Sequence, residues 1–223
     1  MKKKILRFSV EALLIVFSIL LALWIDNRKE SSKDRALKSE LYKRLYTDIK
    51  TDSINYAGYL KRRDRVANTL TSLIQYVNTK KLDEDSLAVL LSELEYFGAY
   101  QAANSTYNSI VSSGQMALFE SDTVFLNISR YCISNVSMVG TSDAYMAGAN
   151  RFLVPFVNEH FDRRLFYDKN NAGSVDLEVF SGVEFINVCY SLADRLIYRD
   201  YLVAHAKRQA RLLAQLRQLR LDR

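Results

Sequence analysis

The hydrophobic pattern changes character once along this chain, near residue 26. Residues 8–25 form an apolar run of eighteen positions interrupted only by Ser9, Glu11 and Ser18, with neither Pro nor Gly in it. At about 1.5 Å of rise per residue, a helix of that length reaches ~27 Å, close to the ~30 Å hydrocarbon core of a bilayer. Lys2, Lys3, Lys4 and Arg7 precede it, and Asp26, Asn27, Arg28, Lys29 and Glu30 follow. The pattern predicts an uncleaved transmembrane anchor with a basic tail at residues 1–7. A cleaved signal peptide fits less well, because its apolar run is ~7–15 residues and ends in a small-x-small site. The best such site here, Leu20-x-Ala22, lies inside the run and is followed by bulky Leu23 and Trp24. A soluble core helix fits least well. Trp24 suits an interfacial aromatic at the exit end.

Orientation rests on a near balance of flanking charge. Four Lys/Arg and the amino terminus lie in the seven-residue tail, against five Lys/Arg in the fifteen residues after Ile25. The higher density in the tail favours N-terminus inside. Within the span, Glu11 sits one turn from Arg7 and can pair with it at i,i+4. Glu11, Ser18 and Ala22 recur at helical spacing, and Ser18-x-x-x-Ala22 is a small-xxx-small pair of the kind that lets helices approach closely. This face is a candidate seam for an oligomer.

Beyond the anchor, the apolar residues follow helical spacing. Leu37, Leu41, Leu45, Ile49, Tyr56, Leu60, Val66, Leu70, Leu73 and Val77 predict an amphipathic helix continuing from the anchor, with Gly58 as a mild bend. Asp52 falls where a heptad wants an apolar residue, so a domain helix is favoured over a coiled-coil stalk. Residues 80–86 read as a polar turn in which Asp83 or Asp85 caps the next helix. Residues 104–114, NSTYNSIVSSG, read as a short helix capped by Asn104 or Ser105 and stopped by Gly114. Ser121 or Asp122 can cap a long helix towards Arg151, with a kink or break at Pro155. Residues 168–174 read as a loop. Ser181 and Glu184 form a capping-box pattern, starting a last helix from Val183 to about Arg220.

One proline and seven glycines in 223 residues are few for a sheet protein, which needs turns. The expected fold is all-α: one transmembrane helix, then an antiparallel helical bundle with long helices spanning 26–206, closed by a basic amphipathic helix end at 207–223. The net charge is +6, falling to +3 once residues 1–25 are set aside. The excess concentrates in Lys207, Arg208, Arg211, Arg217, Arg220 and Arg223, so the pI does not argue for nucleic-acid binding by the domain. That tail has three readings: a solvated helix extension, a partner helix in an oligomer, or a membrane-surface helix drawn to anionic lipid.

Catalytic and metal motifs are absent from the sequence: there is no P-loop, GxGxxG, GxSxG or HExxH. Only His160 and His205 are present, and neither has Glu three residues before it, which argues against a di-iron bundle. The carboxylate groups Asp83/Glu84/Asp85 and Glu93/Glu95 read as helix capping or solvated charge. Cys132 and Cys189 sit in apolar helical runs and read as buried thiols; pairing is the alternative outside the cytoplasm. Neither a metal nor a cofactor is expected. The densest hydrogen-bonding run is Asn104, Thr106, Tyr107 and Asn108 with their Ser neighbours, and it is the first choice for a ligand lining.

Two stretches carry a family resemblance. The anchor, with Glu11, Ile19, Leu20, Ala22, Leu23, Ile25, Asp26, Asn27 and Glu30, resembles the opening of a small uncharacterised bacterial family of membrane-anchored helical proteins. It departs from that pattern at Ser18, where Gly is expected, and at Arg28, where Trp is expected. Residues 104–119, NSTYNSIVSSGQMALF, resemble that family's central segment. The resemblance implies a membrane-anchored helical protein and transfers no catalytic residues. The reading that follows is a single-span protein of a bacterial inner membrane with its domain on the periplasmic side. It is expected to be non-enzymatic and to act as an envelope interaction or scaffold subunit, with a protein partner or a second copy and no nucleic acid. A ligand-binding sensor served by a partner membrane protein is the alternative. A cytosol-facing domain touching lipid or nucleic acid through its basic end is the second alternative.

Overall fold

The computed structural model describes residues 2–79, 83–95, 97–167, 175–196 and 199–221, with side chains outside 2–12 and 220–221. The predicted loop at 168–174 lies outside the described residues, as do positions 80–82 of the predicted turn. Among the described residues all regular structure is helical. Helix α1 runs Lys2–Thr79, α2 Glu84–Glu95, α3 Ser105–Ser112, α4 Thr123–Gly148, α5 Val154–His160, α6 Leu177–Phe180, α7 Val183–Ala193 and α8 Arg199–Leu221. A 3-10 turn at Gln115–Phe119 precedes α4, and a second, at Arg163–Phe166, follows α5.

Helix α1 is the axis of the molecule. It passes Gly58 without interruption; a Cβ there would meet only Arg62 Nη1, at 3.4 Å. Residues 13–36 are exposed throughout, and from Leu37 onward one face turns into the domain. The boundary follows the sequence, because the i,i+3/i+4 apolar stripe starts there. Among the described residues no helix is long and apolar enough to cross a membrane. Residues 8–12 of the predicted anchor, including Glu11, lie outside the described side chains. Ser18 and Ala22 are exposed, and the Ser18 hydroxyl donates to the Leu14 carbonyl at 2.8 Å. The Arg28 guanidinium lies over the Trp24 ring at 4.4 Å.

Helices α8, α2, α7 and α3 pack along the second half of α1, and α4 reaches it through side chains. Tyr56 Oη donates to the Leu202 carbonyl at 3.0 Å, while Leu212 and Leu216 share a core with Leu41 and Leu45, so α8 runs antiparallel to α1. Helix α2 is also antiparallel, placing Glu93 against Thr69. Helix α4 runs parallel to α1, because the Lys38–Asp122 ion pair (2.7 Å) marks one end and Asp52–Asn135 (3.2 Å) a point further along both. The bundle is thus of mixed direction.

Local signals account for most helix ends. Asp83 caps α2 by accepting from Ser86 N–H at 2.8 Å, and Asp122 caps α4 by accepting from Val124 and Phe125 N–H. Gly114, with φ of 72°, ends the helix holding the NSTYN run by entering the left-handed region. A π-helical turn, Ala149–Leu153, leads into α5 and absorbs Pro155, which lies in the first turn of that helix where its missing N–H costs nothing.

The capping box at Ser181 does not form. The Ser181 hydroxyl donates back to the Leu177 carbonyl at 2.9 Å, closing α6, and Gly182 becomes the N-cap of α7 without a side-chain bond. Nor is the last helix continuous from Val183 to Arg220. It breaks after Ala193, where the Arg195 and Leu196 amides tighten onto the Leu192 and Ala193 carbonyls. Arg195 then crosses the end of α4, its Cδ lying 2.6 Å from where a Cβ on residue 148 would stand, so glycine at 148 is what lets it pass.

Candidate functional site: a buried carboxylate between two cores

The buried apolar residues fall into two clusters. The first, nearer the free part of α1, holds Leu41, Leu45, Ile49, Ile110, Phe119, Phe125, Ile128, Tyr131, Cys132, Leu212 and Leu216. The second begins at Tyr56 and Tyr59 and takes in α2, the far half of α4, α5, α7 and Leu202. Between them lies a polar layer built from Asp52, Asn135, His205 and Gln209, all buried, with Asp52 at 0 % exposure.

Asp52 is the shared acceptor of the layer. Its Oδ1 takes hydrogen bonds from Tyr100 Oη (2.7 Å) and the Ala103 amide (3.1 Å), both on the extended segment between α2 and α3. Its Oδ2 takes them from Tyr131 Oη and Asn135 Nδ2 (3.2 Å) of α4 and from Gln209 Nε2 (3.1 Å) of α8. Gln209 also donates to Tyr131 Oη. Asn135 spans Asp52 and Asn104 Oδ1 (3.0 Å), two acceptors, which fixes its amide nitrogen towards both. Four chain segments therefore meet at one carboxylate, with neutral donors and no cation bonded to it. Burial, and after it the charge of Asp52, push the Tyr100 and Tyr131 phenols well above their ordinary range, so both remain donors.

His205 forms the edge of the layer. Its ring stacks on Tyr131 (centroids 4.9 Å apart, 23° between planes) and meets Tyr56 at the same centroid distance. Its Nδ1 bonds with Ser134 Oγ at 3.2 Å, and Nε2 is buried without a partner. Burial lowers its pKa from 6.5 to about 4, overriding the opposite pull of Asp52, with the Arg208 charge adding to the lowering. The imidazole is therefore neutral at pH 7.

One turn before Asp52 on the same face, Asp48 Oδ2 accepts from the Thr106 amide (2.7 Å) and Ser105 Oγ (3.0 Å). The cap of α3 thus comes from α1. Neither Asn104 nor Ser105 caps it, because Asn104 turns inward, donating to the Cys132 carbonyl at 3.2 Å. The polar run of residues 104–108 diverges from there. Thr106 is buried, Tyr107 Oη bonds Ser129 Oγ at 2.8 Å, and Asn108 is exposed. Of the four, Asn104 alone joins the Asp52 layer.

The basic end of α8 is part of the domain. Leu202, His205, Gln209, Leu212 and Leu216 recur at three- and four-residue spacing on its buried face, leaving Lys207, Arg208, Arg211 and Arg217 exposed on the other. The Arg220 side chain lies outside the described residues. Cys132 and Cys189 are both free and buried, one in each cluster, and burial pushes both thiols up to about 12. Among the described residues no group of three or more His, Cys, Asp or Glu side chains is placed to hold a metal. Comparison with protein-family models, with curated proteins and with solved structures gives no match for this chain.

The sequence pattern does not reveal Tyr100, Ala103, Tyr131, Asn135 and Gln209 as partners of Asp52. The available signal was a polar residue in an apolar register: Asp52 between Ile49 and Tyr56, Asn135 between Tyr131 and Met138, Gln209 between His205 and Leu212.

Removing the shared acceptor strands several buried donors, at about 1–3 kcal/mol for each that stays unsatisfied. Asp52→Ala is expected to lower unfolding free energy by about 3 kcal/mol or more, and Asp52→Asn by less, since it keeps the volume. Urea titration followed by far-UV circular dichroism measures both. His205 adds a pH dependence. Unfolded, it binds a proton below 6.5; folded, it resists until about 4. Between those values the unfolded state holds more protons, so stability is complete above 6.5, falls as pH drops towards 4, and levels off below. The urea midpoint should fall from pH 7 to pH 5 in the wild type, and His205→Gln should flatten that fall.

Proposed function

We propose that the chain is a membrane-anchored, non-enzymatic interaction or scaffold subunit of a bacterial cell envelope, its domain on the extracytoplasmic side. The observation that carries this reading is the exposed apolar stretch of α1. Leu13, Leu14, Ile15, Val16, Phe17, Ile19, Leu20, Leu21, Leu23, Trp24 and Ile25 are each 46–69 % exposed, with no part of the domain against them. A continuous apolar helix surface of that size in water is unfavourable, and lipid is the solvent that suits it on all sides. The short apolar length among described residues is extended by Phe8, Val10 and Ala12 in the sequence, which bring the run to that of a span. The Ser18 hydroxyl, already bonded within the helix, fits that setting.

The site chemistry supports an interaction role over catalysis. Asp52 has both oxygens committed to donors, and neutral His205 is packed between aromatic rings. A groove of about 530 Å³ with Met116, Phe119, Phe125 and Leu126 beside Glu120 and Asp122 offers a contact surface of mixed character at the end of the domain nearest the anchor. The partner is a protein of the same membrane or a second copy, with Glu11, Ser18 and Ala22 as the seam within the span. The sensor reading has one observation in its favour: α1 joins the Asp52 layer to the anchor without a break.

After alkaline carbonate extraction the full chain should stay with the membrane pellet. Leu20→Arg with Phe17→Arg, each worth roughly 2.5–3.5 kcal/mol against insertion, should move it to the supernatant. Recovery of the wild-type chain in the supernatant would contradict the anchor.

A further inference from the structure

We propose that the groove between α4 and α8 is a binding site for a small phosphate-bearing anion. It encloses about 570 Å³ and is lined by Asn127 and Arg130 of α4 and by Arg208, Arg211, Leu212 and Gln215 of α8. That volume suits a small-molecule site. Three arginines from two helices line it, and no carboxylate is among its lining residues.

None of these three arginines has an ion pair or hydrogen bond among the described residues. Some arginines elsewhere pair with carboxylates, Arg163 with Glu95, Arg164 with Asp162, Arg44 with Glu40 and Arg63 with Asp64, while others such as Arg62 and Arg65 do not among the described residues; the groove differs in gathering three unpaired arginines on one lining without a carboxylate. Unpaired cations held together repel one another, and an anion between them removes that cost. The guanidinium fork matches phosphate oxygens two at a time, and Asn127 and Gln215 supply neutral donors beside it.

The same chemistry is offered by lipid headgroups and by soluble phosphates, and the position of the groove separates them. Leu212 packs in one cluster with Leu45 and Ile49, so the groove lies level with that part of α1. Ile49 is 24 residues past Ile25 on an unbroken helix, which places it ~36 Å further along the axis. That is several Debye lengths, each ~8 Å at physiological salt. The choice of a soluble ligand rests on the anchor reading; the anion site itself does not. The Arg208 charge adds to the burial that holds the His205 pKa down, so a bound anion should raise the pKa of that imidazole.

The test titrates the purified full chain, in neutral detergent, with inorganic pyrophosphate at constant ionic strength by calorimetry. Saturable one-to-one binding is expected. Arg208→Gln and Arg130→Gln should each weaken it at least tenfold, while Lys207→Gln, an exposed cation outside the groove lining, should change it less than twofold. No saturable binding, or equal weakening by Lys207→Gln, overturns the site. Repeating the titration in nanodiscs separates the sources. Equal affinity in zwitterionic and anionic lipid supports a soluble ligand; loss of pyrophosphate binding in anionic lipid assigns the groove to headgroups and overturns that choice. A chain that fails to enter nanodiscs would sink the anchor, while the detergent titration still decides the site.

Discussion

The structure depends on one buried carboxylate. Moving a carboxylate out of water is costly unless hydrogen bonds replace its hydration, and here five donors from three chain segments do so. Every one of those donors is itself buried or nearly so and would be orphaned without the acceptor. The layer therefore specifies register. A shift of α4 or α8 by one residue would take Asn135 or Gln209 away from Asp52 and leave one of its oxygens short of a donor. An apolar layer would tolerate such slippage; this one does not.

The same layer explains how two apolar cores act as one domain. Tyr131 belongs to the cluster nearer the exposed apolar stretch of α1 and Tyr100 to the other, and both donate to Asp52. Asp48, one turn earlier, caps α3 across the interface, so two carboxylates on one face of α1 set the path of the segment between α2 and α4. The anion groove lies beside this layer, on the outer side of α8. Occupancy there acts on Arg208, and through its field on His205, which stacks on the tyrosine bonded to Asp52. The helix that carries Asp52 is the one that leaves the domain, so the layer and the exposed apolar stretch belong to a single continuous helix.

Much of this was legible in the sequence, for local reasons. The caps at Asp83 and Asp122, the stop at Gly114 and the irregularity at Pro155 follow from what those side chains can do with the adjacent backbone. The continuity of α1 followed from the absence of any breaker stronger than Gly58. The errors were non-local. Ser181 looked like a cap, but its hydroxyl was taken by the preceding helix. Asn104 and Ser105 looked like caps for α3, but the acceptor came from Asp48, far away in sequence. The turn after Ala193 carries no Pro or Gly in the sequence, and Arg195 beside it lies over Gly148, a contact no local pattern records. Asp52 was visible as an irregularity in an apolar stripe. Its five donors were invisible, because they come from segments brought together only by folding, and the groove arginines from α4 and α8 met for the same reason.

The two cysteines provide a reporter for each core, Cys132 on one side of the layer and Cys189 on the other. Pulse labelling of both thiols across a urea gradient, read by peptide mass spectrometry in the wild type and in Asp52→Ala, tests whether the carboxylate couples the cores. The account predicts that in the wild type both thiols open at one urea concentration. In the variant Cys132, in the smaller core, should open at lower urea than Cys189. Separate opening in the wild type, or thiols that still open together in Asp52→Ala, would contradict it.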